Sequence, residues 1–174
     1  MNIISFGGRI GAGKSTISRA VAERLEVPRV SFGDVVRSEA QKRHLPETRE
    51  ALQNLGDALI ADGWDAFCAR VVATADRTDR DTLIVDGVRH IGALEGLAKL
   101  AARSFTLVFI DAPQDRRLSW RGMAVEDLEA ADAHPNEAEV DRVRDGADLV
   151  VMNDGALEDA ITQVLSGLAL QAVG

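Results

Sequence analysis

GGRIGAGKST, Gly7 to Thr16, follows the apolar run Asn2-Ile3-Ile4-Ser5-Phe6, and its reading decides the fold. Gly8, Gly13, Lys14 and Ser15 complete the spacing G-x-x-x-x-G-K-[ST], a phosphate-binding loop set between a strand and a helix. A loop that wraps a polyphosphate must aim successive backbone N–H groups inward, and glycine reaches those dihedrals without a Cβ penalty. The helix expected from about Gly13 presents unpaired N–H groups and the positive end of its dipole to the anion. Lys14 then reaches the β and γ phosphates and the Ser15 hydroxyl ligates magnesium, with Gly11, Ala12 and Thr16 completing the cradle. A plain glycine turn accounts for the glycines but not for a lysine and a hydroxyl at these offsets.

Working outward, Ile17, Ala20, Val21 and Leu25 mark one face of the first helix, and Pro28 ends the pattern. Arg29 to Phe32 reads as a second strand, with Gly33-Asp34-Val35-Val36-Arg37 opening another helix. Residues 47–61 and 64–75 read as two further helices, followed by a polar turn at 77–81. Strands are expected at Thr82–Asp86, Ser104–Ile110 and Asp148–Met152. Helices should follow them at Ile91 to Leu97, at 114–121, and from Leu157 to Leu168. The acidic stretch 122–141, interrupted by Pro135, reads as a flap or short helices over the surface. Short, nearly continuous apolar strands alternating with helices predict an α/β domain. The expected fold is that of a P-loop NTPase, a five-stranded parallel sheet with helices on both faces and a short lid. Ligands of such sheets lie at the carboxyl ends of the strands. The phosphate loop, Asp34, Asp86 to Arg89, Asp111 and Asn153 all fall at that edge.

At 174 residues the chain is expected to be one domain, with about 38–80 as an acceptor-binding region and about 122–141 as the lid. A formal charge of -8 argues against a non-specific nucleic-acid or anionic-membrane surface. Cys68 is the only cysteine, which excludes an intrachain disulfide, and its helical face with Trp64, Phe67, Val71 and Val72 reads as core. No apolar run is long enough to span a bilayer, and the phosphate loop begins within a few residues of Met1, so a cytoplasmic protein is expected. His44, His90 and His134 lack metal-ligand spacing. Trp64 reads as core, whereas Trp120 fits either a core position or a base-stacking platform.

Asp86 closes an apolar strand and so suits a carboxylate held beside magnesium. Gly87 stands where ATP-hydrolysing machines often carry a water-orienting glutamate, which favours transfer to an acceptor over hydrolysis. Arg37 and Arg89 each follow a strand end by a few residues, and a guanidinium fork suits a phosphate already carried by the acceptor.

GRIGAGKST, GDVVR and DGVR resemble the phosphate loop, GDxxR and DGxPR segments of adenylate and related nucleoside monophosphate kinases. ADLVVMNDG resembles a segment of dephospho-CoA kinases. The fuller match, from VSFGDVVRSEAQKRHL through LIVDGVRHIGALE to ADLVVMNDGALE, is similar to a mainly archaeal family of nucleotide kinases related to AMP and CMP kinases. The resemblance implies that Lys14 and Ser15 hold the donor phosphates and magnesium. It implies that Arg37 and Arg89 grip the acceptor phosphate, with Asp34 and Asp86 arranging acceptor and metal. Arg116, Arg117 and Arg121 fall where such kinases begin the lid, and Arg116 and Arg121 are the expected catalytic pair beside Lys14 and Arg89. Arg142 or Arg144 would serve from the other side of the flap, and Arg121 and Asn153 would lie near the donor nucleotide. The implied cofactors are ATP and Mg2+, and the implied partner is a small nucleotide or metabolite acceptor.

Two departures matter. DGVR lacks the proline and is one residue shorter, and Glu95 stands in the neighbourhood of the family's base-reading glutamine. The lid stretch Gly122 to Asp141 carries Glu126, Asp127, Glu129, Asp132, Glu137, Glu139 and Asp141 but no Lys or Arg. The expected activity is an ATP- and magnesium-dependent kinase of a nucleoside monophosphate. Dephospho-CoA or another metabolite is the alternative acceptor, and a nucleotide-binding switch or ATPase is the rival from another class.

Overall fold

In the computed structural model, which describes residues 1–76, 81–122, 124–132 and 139–171, five strands build one parallel sheet. They are β1 (Asn2–Gly7), β2 (Arg29–Ser31), β3 (Thr82–Val88), β4 (Phe105–Asp111) and β5 (Leu149–Met152), in the spatial order β2-β3-β1-β4-β5. Helices α1 (Lys14–Leu25), α2 (Phe32–Lys42), α3 (Arg49–Ile60), α4 (Trp64–Ala73) and α5 (Ile91–Leu100) fill the first connections. Helices α6 (Gln114–Arg121), α7 (Val125–Asp132), α8 (Val140–Asp145) and α9 (Leu157–Gln171) follow.

The chain leaves β1 outward to β2 and later returns across the sheet. Right-handed crossovers therefore put α1 on one face and α2–α5 and α8 on the other. Successive β4 residues point opposite ways, so a continuous apolar run is what two covered faces require. Val108 and Ile110 join Phe6 and Ile84 under Ile17 and Val21 of α1 and Ile161 and Val164 of α9. Leu107 and Phe109 join Ile3 and Val85 under Val35, Leu55, Phe67, Cys68, Leu97 and Val143. Each large side chain buried in these two layers contributes roughly 1.5–3 kcal/mol.

Several boundaries differ from expectation: β4 runs Phe105–Asp111 rather than Ser104–Ile110, and three others shift for a local reason. β2 ends at Ser31 rather than Phe32, because the Ser31 hydroxyl accepts the Asp34 N–H at 3.4 Å and caps α2. β3 does not stop at Asp86: the register with β1 shifts between Phe6 and Gly7, Gly87 adopts φ 98°, and Val88 pairs with Gly7. β5 begins at Leu149 because the Asp148 carboxylate turns aside to accept the Leu107 N–H at 2.8 Å. Leu157, expected on the apolar stripe of the last helix, is 43% exposed, the stripe being Ala160, Ile161 and Val164.

In the expected lid, α7 and α8 form short helices, with Leu128 of α7 fully buried. Residues 123 and 133–138, and with them His134, Pro135 and Glu137, lie outside the described residues, as do residues 77–80 of the expected polar turn.

Candidate functional site

The loop between β1 and α1 is held in shape from three sides. Lys14, itself buried, donates from Nζ to the Arg9 carbonyl at 3.3 Å. Arg117 of α6, 4% exposed, donates from Nε to the Ile10 carbonyl at 2.8 Å. Asn153, just past β5, donates from Nδ2 to the Ala12 carbonyl at 3.0 Å. A trans peptide points its N–H opposite its carbonyl. Fixing the Ile10 and Ala12 carbonyls therefore fixes the opposite aim of the Gly11 and Gly13 N–H groups, and Gly11 and Gly13 line the adjoining cleft.

Gly8 brings its backbone against the Ile110 carbonyl, and an added Cβ would lie 2.3 Å from that oxygen. Gly13 is the N-cap of α1 at φ 85°, where a Cβ would meet Asn153 Nδ2 at 2.4 Å. Unlike α2 and α3, whose Ser31 and Thr48 hydroxyls cap them, α1 starts with no side-chain cap and no acidic residue in its first turn. Its first N–H groups and dipole are left for an anion.

The cleft has a volume of about 420 Å³ and is lined by Gly11, Gly13, Lys14, Ser15 and Thr16 together with Trp120, Asn153, Gly155 and Leu157. Ala12 is fully buried and contributes backbone only.

Beside the loop, at the ends of β2 and β3, sits a charge network that the sequence reading did not contain. Arg29, its side chain 13% exposed, donates from Nη2 to Asp86 Oδ2 at 2.5 Å and from Nε to Ser18 Oγ at 2.9 Å. Its Nη1 lies 3.7 Å from Asp34 Oδ2, and Asp34 accepts from Arg37 at 2.5 Å. The Ser18 hydroxyl passes its own hydrogen to the Ser15 carbonyl at 3.2 Å. One guanidinium thus ties the first turn of α1 to Asp86 and to the Asp34–Arg37 pair.

Asp86 Oδ1 is buried and lacks a hydrogen-bond partner among the described residues. A buried orphan carboxylate oxygen near the loop, with the exposed Ser15 hydroxyl, is a donor set of the hard-oxygen kind that suits magnesium. Among the described residues no cluster of three or more His, Cys, Asp or Glu gathers. That is no obstacle, because magnesium at a phosphate loop takes most of its ligands from phosphates and water.

The remaining candidates divide. Arg117, grouped with the lid arginines from sequence, forks onto Asp132 at 2.5 and 2.9 Å and onto the loop, so both ends of its guanidinium are occupied. Arg116 is exposed on α6 and does not line the cleft. Arg121 ends α6, and its side chain lies outside the described residues. Arg89 is half-buried just past β3. Arg144 donates to Asp111 Oδ2 at 3.0 Å, and Arg142 is exposed. Arg9 pairs with Asp141 of α8, a contact across the loop that no local pattern signals. His90 stacks on Trp64 at 5.1 Å, and Glu139 accepts the Ile91 N–H at 2.8 Å, so that corner caps α5. Trp64 packs against Phe32 and Phe67 in the core, whereas Trp120 is 44% exposed and faces the cleft. No described helix is long and apolar enough to cross a membrane.

A family model described as an AAA domain matches residues 7–137. The UPF0200 protein of Methanosarcina acetivorans is 36% identical over 120 residues, covering 68% of this chain and 64% of that protein. The match thus spans less than two thirds of that relative's own length. The UPF0200 protein of Aeropyrum pernix is 31% identical over 169 residues, 90% of this chain and 87% of that one. Among solved structures, shikimate kinase from Aquifex aeolicus superposes with a TM-score of 0.59 at 19% identity, covering 100% of this chain and 99% of that one. At that identity the likeness speaks for the fold alone.

Proposed function

The chain belongs to the AAA domain family and groups with the UPF0200 proteins, and from that premise we propose that it is an ATP- and magnesium-dependent phosphotransferase acting on a small acceptor. The observation that carries the reading is the adjacency of two sites on one sheet edge. One is the phosphate loop with Lys14 above an uncapped α1; the other is the Arg29–Asp34–Arg37 network with Asp86 at the ends of β2 and β3. Phosphoryl transfer needs alignment and charge neutralisation more than covalent chemistry, and this arrangement offers both.

In this reading Gly8, Gly11, Ala12, Gly13 and Thr16 shape the cradle, and Lys14 neutralises the donor's phosphates. Ser15 and Asp86 would hold magnesium, which would neutralise charge on the donor's phosphates. Asn153 acts chiefly by holding the Ala12 carbonyl, which keeps the loop open to phosphate. On the acceptor side, Arg37 and Arg89 bind an anionic group. Asp34 keeps Arg37 aimed until that anion arrives, in a solvated ion pair that is cheap to exchange. Arg121, at the start of the lid, would reach the transferring phosphoryl group, and Arg116, exposed and off the cleft, would have to swing in with the lid to join it. A nucleoside monophosphate is the preferred acceptor, because two arginines suit a phosphate the acceptor already carries. Residues 1–174 act as one domain, with about 38–80 receiving the acceptor and about 122–141 closing over it, in the cytosol where ATP is available.

The test is ADP release from ATP and magnesium against nucleoside monophosphates, deoxynucleotides, dephospho-CoA and shikimate, with the phosphorylated product identified. Acceptor-dependent turnover that disappears in Lys14→Ala is expected. Retained turnover in that variant refutes the mechanism. A flat panel with slow acceptor-independent hydrolysis replaces the kinase with a nucleotide switch.

A further inference from the structure

Beyond the loop, the cleft is formed by Trp120, Gly155, Leu157 and Asn153. Trp120 sits at the C-terminal end of α6 with 44% of its surface exposed, and Leu157 of the same lining is 43% exposed. Exposed apolar side chains gathered at one cleft mark it as a binding surface. The indole reaches the loop itself: its ring edge lies 4.0 Å from where a Cβ on Gly13 would stand. A base joined by ribose to a phosphate held at Gly13 and Lys14 would therefore lie in the gap the indole borders.

Asn153 of the same wall is partly engaged. Asn153 is 5% exposed, its Nδ2 is committed to the Ala12 carbonyl at 3.0 Å, and its backbone N–H to the Asp111 carbonyl at 2.7 Å. Lys14, Ser15 and Thr16 belong to the phosphate end. Leu157 and the indole face offer a base contact area rather than hydrogen bonds. Stacking on such a face is open to any base, because every base has a π-face.

We infer that Trp120 is the stacking platform for the base of the donor nucleotide. The inference rests on the cleft being the donor site. The platform gives affinity and the loop gives position.

The experiment is calorimetric titration of the full chain with ADP, GDP and tripolyphosphate, each with magnesium, for the unsubstituted protein, Trp120→Ala and Trp120→Phe. ADP and GDP should both bind the unsubstituted protein. Trp120→Ala should weaken both by about 5- to 150-fold, the equivalent of roughly 1–3 kcal/mol of stacking, while tripolyphosphate is unmoved. Trp120→Phe should restore most of the loss. Unchanged nucleotide affinity in Trp120→Ala, or an equal loss for tripolyphosphate, overturns the platform. If none of the three probes binds the unsubstituted protein, the phosphate-site reading itself falls and takes this inference with it.

Discussion

Replacing Arg29 by methionine keeps most of the apolar stem and removes the charge, and the structure sets what that should do. Asp86 is 1% exposed, one of its oxygens is held by Arg29 at 2.5 Å, and the other has no hydrogen-bond partner among the described residues. The variant leaves a buried carboxylate with no cation against it. Breaking a buried pair from one side costs about 3–5 kcal/mol, a large share of the roughly 5–15 kcal/mol that holds a domain folded. For a chain of this size each kcal/mol moves the unfolding midpoint by about 2–4 °C, so Arg29→Met should lower it by roughly 6–20 °C.

Arg37→Ala is the internal control. Its pair with Asp34 has side chains 47% and 57% exposed, and such a contact contributes about 0–1 kcal/mol. Thermal unfolding followed by circular dichroism, backed by urea titration, reads both. The double variant Arg29→Met with Asp86→Leu should regain much of the stability, because an apolar pair no longer buries an unpaired charge. If Arg29→Met costs less than about 1 kcal/mol, or the double variant loses the sum of the two singles, the pair is not the coupled buried contact described here.

Other substitutions follow from the same geometry. Gly13→Ala forces a Cβ to 2.4 Å from Asn153 Nδ2 at a φ of 85°. It should abolish measurable nucleotide binding in calorimetry while the far-ultraviolet spectrum stays native, and binding within a few-fold of the unsubstituted chain would refute the packing argument. Burial, seconded by the Asp65 carboxylate and opposed by Lys99, pushes the Cys68 thiol up to about 11 from an ordinary 9.0. The unfolded chain therefore releases this proton first, and between pH 9 and 11 stability should fall by up to about 1.4 kcal/mol per pH unit from this group. Cys68→Ser should flatten that slope, and native protein at pH 8 should react with a thiol reagent only as fast as it unfolds.

The phosphate loop and the alternation of strands and helices were legible in the sequence because both are local. The loop needs glycines, a lysine and a hydroxyl at fixed offsets. Strands buried on both faces read as apolar runs such as Leu107 to Ile110, while amphipathic helices repeat every three to four residues. The boundaries that shifted did so where one side chain outcompeted the pattern, as the Ser31 hydroxyl did in drawing Phe32 into α2.

What local pattern could not supply was the choice of partner. From sequence alone Arg29 is a strand residue and Arg117 one of several lid arginines. Folding sets Arg29 on Asp86, 57 residues away, and Arg117 on the Ile10 carbonyl, 107 residues away. It brings Asn153 under the loop from 141 residues away, and turns Trp120, which fitted either reading, toward the cleft. The sequence by itself determined the chemistry of the loop and the class of fold, because backbone geometry and periodicity are written in neighbouring residues. The tertiary structure decided which charges are spent holding the loop and which stay at the cleft, because a guanidinium takes whichever carboxylate or carbonyl the strand order brings within reach.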